Sequence, residues 1–261
     1  MLHGKNIVVT GAASGIGKRT AELAQVMGVN VFSVDRDISQ NPVGHFIQGD
    51  LGSESGVHAI LDQLPTSLDA LANVAGLSGT PGAAPTLAVN FLGLRALSLG
   101  LAAKMNQHGA VINVASIAGF GWRPNLEKVK SAVAVEGFPD PVKFCTDHEI
   151  TDEISYPSSK ELLLLWTYQA AHLECFKNKN IRVNAVSPGP VETPILQQFR
   201  DVLGDARVDS DIGRVGRAGT ANDIAPIIAF LASDGARWIN GTNIACDGGL
   251  EASVMAEVMN F

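Results

Sequence analysis

The sequence predicts a doubly wound α/β domain: a seven-stranded parallel sheet with helices on both faces. Three observations carry that expectation. Short apolar runs, many of them β-branched, recur at residues 7–9, 29–34, 45–51, 68–74, 110–116, 181–187 and 243–246. Stretches with apolar residues at helical spacing separate them, as parallel strands joined by crossovers require. The first run leads directly into a glycine-rich turn, Gly11-Ala12-Ala13-Ser14-Gly15-Ile16-Gly17, and then into a helix. With 261 residues, 46% of them hydrophobic, the chain has ample material for one large domain spanning residues 1–261.

Composition narrows the function classes. A formal net charge of -7, with no block rich in Lys or Arg, argues against a nucleic-acid partner. Cys145, Cys175 and Cys246 are few and widely spaced, which fits a reducing compartment better than a disulfide framework. The first residues enter a strand without a signal-peptide pattern, and the longest apolar runs stop short of a membrane span. A cytoplasmic protein with no membrane partner is expected. No internal repeat, heptad pattern or low-complexity tract is visible, and no metal site is assigned.

The glycine turn is the first element with chemistry in it. Glycines let the chain turn sharply and approach a ligand without interference from Cβ. They also leave the amides at the start of the next helix, expected over 18–27 with Gly28 ending it, free to hold a pyrophosphate. The spacing is G-x-x-x-G-x-G, not the G-x-G-x-x-G of the general dinucleotide fingerprint. Asp35 ends the second strand, where a carboxylate binds adenosine ribose hydroxyls and repels a 2′-phosphate, so NAD is expected rather than NADP. The neighbouring Arg36 argues the other way, and the carboxylate takes priority. Ser116 stands at the carboxyl end of the fifth strand, facing the crevice where open α/β sheets bind ligands. Tyr156 and Lys160, four apart at the start of an apolar helix expected over 156–176, share one helix face.

Thr10 ahead of this turn, and the order of the motifs behind it, resemble the short-chain dehydrogenase/reductase family of Rossmann-type enzymes. The resemblance covers nearly the whole chain. Asp50-Leu51 match the family's adenine-contacting pair, and Asn73-Val74-Ala75-Gly76 resembles its Asn-Asn-Ala-Gly element with Val in second place. Val89-Asn90-Phe91-Leu92-Gly93 matches the helix that carries a catalytic asparagine. Pro188-Gly189-Pro190-Val191-Glu192-Thr193-Pro194 matches the segment after the sixth strand, and Asp247-Gly248-Gly249 the ending. The resemblance implies cofactor binding by Gly11, Ser14, Gly15, Ile16, Gly17, Asp35, Asp50, Leu51, Asn73, Ala75, Gly76, Tyr156, Lys160, Pro188, Gly189, Val191 and Thr193. Among these, Asn73 and Gly76 are expected to be mainly architectural. It further implies catalysis by Asn90, Ser116, Tyr156 and Lys160: hydride transfer between NAD and an alcohol/carbonyl pair. Tyr156 is then the general base, its pKa lowered by the Lys160 ammonium with help from the positive nicotinamide ring. Ser116 holds the reacting oxygen, and Asn90 a water behind Lys160.

Three stretches concern the substrate. The span between Gly76 and Asn90, rich in Gly, Pro and Ala, omits a helix that family members have, and Asn90 is expected in the first turns of a helix over 87–105. Tyr156 follows Ser116 much later than is usual, which marks residues 119–154 as an insertion of one or two short helices covering the active site. Its Phe120, Trp122, Phe138 and Phe144 are expected either to line the substrate pocket or to form a small core of their own. Residues 190–217, irregular and mixed in charge, suit a mobile lid. The late Tyr156, the segment Pro188-Gly189-Pro190-Val191-Glu192-Thr193-Pro194-Ile195-Leu196 and the phrase Arg237-Trp238-Ile239-Asn240-Gly241 resemble bacterial coniferyl-alcohol dehydrogenases. A similar insertion occurs in bacterial 3α-hydroxysteroid dehydrogenase/carbonyl reductases. Both imply a bulky, mostly apolar small-molecule substrate, with an aryl or allylic alcohol ahead of a hydroxysteroid. A catalytically inactive NAD-binding regulator is the alternative from another class, and the intact Asn90, Ser116, Tyr156 and Lys160 set opposes it. The family also implies a homo-oligomer. A dimer through the last strand and its neighbouring helix is expected, since the insertion obstructs the helix contact that relatives use for tetramers.

Overall fold

The strands are apolar along nearly their whole length because helices cover them on both sides. The computed structural model describes residues 2–260. Its strands are β1 (Asn6–Thr10), β2 (Asn30–Asp35), β3 (His45–Gln48), β4 (Leu68–Asn73), β5 (Met105–Val114), β6 (Arg182–Pro188), β7 (Val191–Glu192), β8 (Gly219–Thr220) and β9 (Asn243–Cys246). Seven of them form one parallel sheet in the order β3-β2-β1-β4-β5-β6-β9, and β7 pairs with β8 beside it. The order reverses between β1 and β4, which opens a crevice at their carboxyl ends.

Each face of the sheet has its own core. On one side Val57, Ile60, Phe91, Leu94 and Leu163 pack from the helices Glu54–Gln63, Ala83–Ala102 and Ser155–Ala170. On the other, Ala21 and Ala24 of Gly15–Val26 and Ile224 and Ile228 of Ala221–Ala232 close against Ile7, Val9 and Ile112. Fully burying a Leu, Ile or Phe side chain contributes roughly 1.5–3 kcal/mol, so these two layers supply most of the drive to fold.

Several boundaries differ from the sequence expectation. The first helix begins at Gly15 rather than Lys18. The Tyr156 helix stops at Ala170, and a separate turn of helix, Glu174–Lys177, follows. The helix expected to begin near Leu87 begins at Ala83 and runs to Ala102, with a π-helical stretch, Ala88–Gly93, in its middle. This helix is also long and apolar enough to cross a membrane, contrary to the expectation that no run reaches that length. It is a core helix, two thirds of it buried between the sheet and its neighbours.

Residues 117–154 form a 3-10 turn, Ile117–Trp122, and two short helices, Leu126–Val133 and Pro141–Asp147. The two helices extend the first core, and Ile117, Ala118, Asp152 and Glu153 at the ends of the segment line the crevice. Phe144 is fully buried and packs against Phe91 and His148, and Phe120, Trp122 and Phe138 lie against the same cluster. Of the two expectations for these aromatics, the core holds and the pocket lining fails. Arg95, itself buried, fastens the segment: its guanidinium lies over the Phe91 ring and donates to the Val133 and Gly137 carbonyls at 3.2 and 2.7 Å. Residues 194–215, irregular in sequence, are two helices, Pro194–Leu203 and Asp205–Val215, separated by Gly204 at φ 84°.

Candidate active site

The crevice widens into a cavity of about 810 Å³ that runs from Asp35 and Asp50 at one end to Tyr156 and Phe199 at the other. Its cofactor-sized end is built from main chain. Thr10 Oγ1 accepts from the amides of Val74 and Ala75 at 2.9 and 3.0 Å, which draws the ends of β1 and β4 together. A Cβ on Gly11 would then lie 2.8 Å from the Ala75 backbone, and one on Gly17 would run into the Gly11 carbonyl oxygen. No side-chain cap occupies the start of the Gly15–Val26 helix, so its first amides remain for a ligand. Asp35 is held in place, accepting from the amides of Ala13 and Asp37 at 2.8 and 3.0 Å. Asp50 is fixed the same way by the Gly52 amide at 2.8 Å. A glycine cradle, free helix-terminal amides and an oriented carboxylate fit the pyrophosphate and ribose of a dinucleotide.

The other end holds the titratable groups. The Ser155–Ala170 helix carries both Tyr156 and Lys160, and the ammonium lies 5.7 Å from the phenol ring centroid. Ser116, just past β5, hydrogen-bonds the Tyr156 hydroxyl and caps the turn after it by accepting from the Ala118 amide at 3.1 Å. Lys160 is buried and its Nζ donates to the Val114 carbonyl at 2.9 Å. Asn90 is fully buried in the π-helical stretch. Its Oδ1 accepts from the Leu77 amide at 2.7 Å, and its Nδ2 donates to the Leu77 carbonyl at 2.9 Å and to Ser159 Oγ at 3.0 Å. A wider π turn at this point lets the asparagine reach both the loop after β4 and the Tyr156 helix. Gly76 sits between: a Cβ there would be 3.4 Å from Asn90 Oδ1 and 3.7 Å from Lys160 Nζ.

Desolvation dominates the protonation of the protein's own groups here. Burial pushes the Tyr156 phenol up to about 12, against the lowering effect of the Ser116 hydrogen bond. Burial likewise brings Lys160 down to about 8. The lowering of the phenol by Lys160 does not appear, because the ammonium is turned toward the Val114 carbonyl and desolvation outweighs attraction across this distance.

Of the residues expected from sequence, Gly11, Ser14, Gly15, Ile16, Gly17, Asp35, Asp50, Leu51, Ala75, Gly76, Ser116, Tyr156, Lys160, Pro188, Gly189, Val191 and Thr193 line this one cavity. Asn73 does not. Its amide nitrogen donates to Ser98 Oγ of the covering helix and to Asn113 Oδ1 of β5 at 2.8 and 2.9 Å, so its part is structural. Asn90 stands behind the wall. Sequence reading missed Leu77, Ser78, Gln198 and Phe199, which line the substrate end. Their signal was present for the helix: Ile195, Leu196, Phe199 and Val202 have helical spacing and all face the cavity.

Known proteins share this arrangement across its full length. A short chain dehydrogenase family model matches residues 5–128, and one described as enoyl-(acyl carrier protein) reductase matches residues 146–251. The chain is 36% identical over 252 residues to a coniferyl-alcohol dehydrogenase of Pseudomonas sp. strain HR199, covering 97% of this chain and 98% of that one. It is 27% identical over 256 residues to the 3-alpha-hydroxysteroid dehydrogenase/carbonyl reductase of Comamonas testosteroni, covering 94% and 96%. Among solved structures, the 3-alpha-hydroxysteroid dehydrogenase of Pseudomonas sp. B-0831 in complex with NADH superposes with a TM-score of 0.80 at 30% identity, over 97% of this chain and 99% of that one. The sheet order, the glycine cradle beside Ala75 and the Ser116, Tyr156 and Lys160 cluster therefore belong to an oxidoreductase fold used with nicotinamide cofactors, and this chain is a member of the short-chain dehydrogenase/reductase family.

Proposed function

We propose that the protein is an NAD-dependent alcohol dehydrogenase for a bulky, mostly apolar alcohol, with an aryl or allylic alcohol of the coniferyl type as its preferred substrate. The carrying observation is the convergence of Ser116, Tyr156 and Lys160 in one cavity with a dinucleotide-fitting cradle. The cofactor, when bound, supplies the hydride acceptor and a positive ring. Tyr156 takes the hydroxyl proton in oxidation and returns it in reduction. Ser116 hydrogen-bonds the reacting oxygen and sets its distance from the phenol. Lys160 holds ribose hydroxyls and, together with the cofactor's positive ring, would favour the phenolate, and Asn90, by shaping the loop at Leu77, positions a water behind it.

With the phenol at about 12, these residues serve best as a proton donor near neutrality. Carbonyl reduction is therefore favoured there, and alcohol oxidation should strengthen as pH rises. Support for NAD over NADP comes from the amide-held Asp35 and from Arg36, whose Nε is engaged by Asp37 at 3.5 Å. The apolar lining from Leu77, Ile195, Leu196, Phe199 and Val202 supports a bulky apolar substrate. The 36% identity to a coniferyl-alcohol dehydrogenase ranks the aryl alcohol ahead of the hydroxysteroid. In this reading residues 190–217 are the substrate lid, and residues 119–154 stiffen the Tyr156 helix. The assembly is a dimer through β9 and the Ala221–Ala232 helix, which a tetramer in light scattering would refute.

The test is NADH formation across a panel of aryl alcohols, hydroxysteroids and small aliphatic alcohols, with NADP in parallel. Coniferyl-type alcohols should give the highest kcat/KM, and a lower KM for NADP than for NAD would overturn the cofactor assignment. Tyr156→Phe should lose about 10²–10⁴-fold in kcat, the usual share of general acid–base catalysis, while NADH binding persists. NAD binding without turnover on any member of the panel would favour a regulator.

A further inference from the structure

Phe199, on the Pro194–Leu203 helix, meets the Tyr156 ring edge to face, with centroids 4.6 Å apart and planes at 61°. We propose that Phe199 is a positioning residue for Tyr156, held against it by a latch between its neighbour Gln198 and Ser78. The inference rests on Tyr156 being the proton-transfer residue of the proposed reaction.

Four contacts surround the tyrosine, and Phe199 supplies the one that comes from the Pro194–Leu203 helix. Ser116 holds the hydroxyl, and Lys160 lies beyond the ring face. The loop after β4 lies against the tyrosine's root: a Cβ on Gly79, at φ 101°, would be 3.4 Å from Tyr156 Cβ. Phe199 covers the remaining side of the ring. The same loop secures the helix that brings Phe199. Ser78 Oγ, almost fully buried, donates to Gln198 Oε1 at 2.7 Å and in turn accepts from Thr80 Oγ1 at 2.8 Å. From the opposite side Arg200 ties this helix to the next through Asp205 and Asp209 at 3.1 and 2.8 Å. Phe199 is thus fixed at both flanks while its ring faces the phenol.

A ring clamped this way has two consequences. Its oxygen keeps one direction, and misplacement by about 1 Å costs on the order of 10²-fold in a positioned reaction. Phe199 also covers one side of a half-buried ring against water, which favours the neutral phenol. Of the charged groups that line the cavity, Asp35, Arg36, Asp37 and Asp50 belong to its adenosine end; the others are Lys160 from the phenol's own helix, Asp152 and Glu153 just before it, and the Arg207–Asp211 pair from the second lid helix. The lining residues of Pro194–Leu203 among those described carry no charge, so removing Phe199 alters hydration and orientation without altering local charge.

The chain has two tyrosines, Tyr156 and Tyr168, so tyrosinate absorbance can be assigned by subtraction. Wild type minus Tyr156→Phe gives the Tyr156 ionisation curve, and the same pair made on Phe199→Ala gives the variant's, both over the pH range in which circular dichroism shows the fold intact. Phe199→Ala should ionise Tyr156 about one pH unit lower and reduce kcat roughly tenfold, with KM for an aryl alcohol moving less than threefold. Phe199→Leu, which keeps an apolar cover, should restore most of the ionisation midpoint. Gln198→Ala, an exposed position, should shift both readouts in the direction of Phe199→Ala by a smaller amount. A Phe199→Ala chain with the wild-type midpoint, or one that loses only KM, overturns the proposal. A Gln198→Ala chain identical to wild type in both readouts overturns the latch. Near-normal turnover in Tyr156→Phe would instead bring down the assignment of Tyr156 itself, so the two levels separate.

Discussion

The two ends of the cavity are built by different means. At the adenosine end the walls are main chain, contributed by short turns at the carboxyl ends of adjacent strands. The side chains that do take part, Thr10, Asp35 and Asp50, are each tied to backbone amides within a few ångströms. At the substrate end the walls are side chains on helices remote in sequence. The Ser78–Gln198 hydrogen bond joins residues 120 positions apart. A wall of backbone has one shape and admits no Cβ. A wall of Leu, Ile, Phe and Val can be reshaped residue by residue, so one fold can keep its cofactor while its substrates diverge.

That contrast is open to attack, most strongly at Gly17. A Cβ there would collide with the Gly11 carbonyl oxygen, a backbone atom that no rotamer change can move. Gly17→Ala should therefore weaken NADH binding by about a hundredfold or more, equivalent to roughly 3 kcal/mol, as read by NADH fluorescence on protein whose circular dichroism is normal. Binding within a few-fold of wild type would mean that the cradle is soft, and the distinction between the ends would collapse. A milder probe works from the other side. Leu196 is half-buried in the cavity lining, so Leu196→Ala forfeits about 1 kcal/mol of apolar contact. KM for an aryl alcohol should rise roughly fivefold, with the NADH dissociation constant within about twofold. Equal losses in both constants would show that the ends are mechanically one.

The same contrast explains what the sequence disclosed. Features fixed by local spacing carry short, position-specific patterns: Gly11 to Gly17, Asp35 at a strand end, Tyr156 four residues before Lys160. Their spacing is the geometry, so the fold class and the cofactor end were legible. Asn73 was legible as a motif but not as a wall residue, because whether a strand-end side chain faces the crevice or the sheet depends on partners such as Ser98 and Asn113. The π turn around Asn90 leaves no local pattern, since it is imposed by what the asparagine must reach. Phe199 was hidden for another reason. Its helix could be found by period, but its meeting with Tyr156 is a long-range contact set by the latch and by Arg200. For the aromatics of residues 119–154 composition left pocket lining and core both open, and packing decides it: Phe144 is a core residue.

A further expected effect lies where the ends meet, on the helix that carries Tyr156 and Lys160. Burial places Lys160 at about 8 against its ordinary 10.5, and Tyr156 at about 12 against 10.0. Between about pH 8 and 10 the unfolded chain holds a lysine proton that the folded chain has released, so stability from Lys160 rises with pH. Above about pH 10 the unfolded chain has lost a tyrosine proton that the folded chain keeps, so stability from Tyr156 falls. Lys160→Met should remove the rising limb and leave the falling one, and Tyr156→Phe should do the converse. The difference between wild type and Lys160→Met in urea midpoints from pH 7.5 to 10 isolates the lysine from every other titrating group, and should change by about 1–3 kcal/mol. A difference that stays flat across that range would mean that water reaches the Lys160 ammonium. The junction between backbone-built and side-chain-built halves would then be wet, and the high phenol pKa would need another cause than burial.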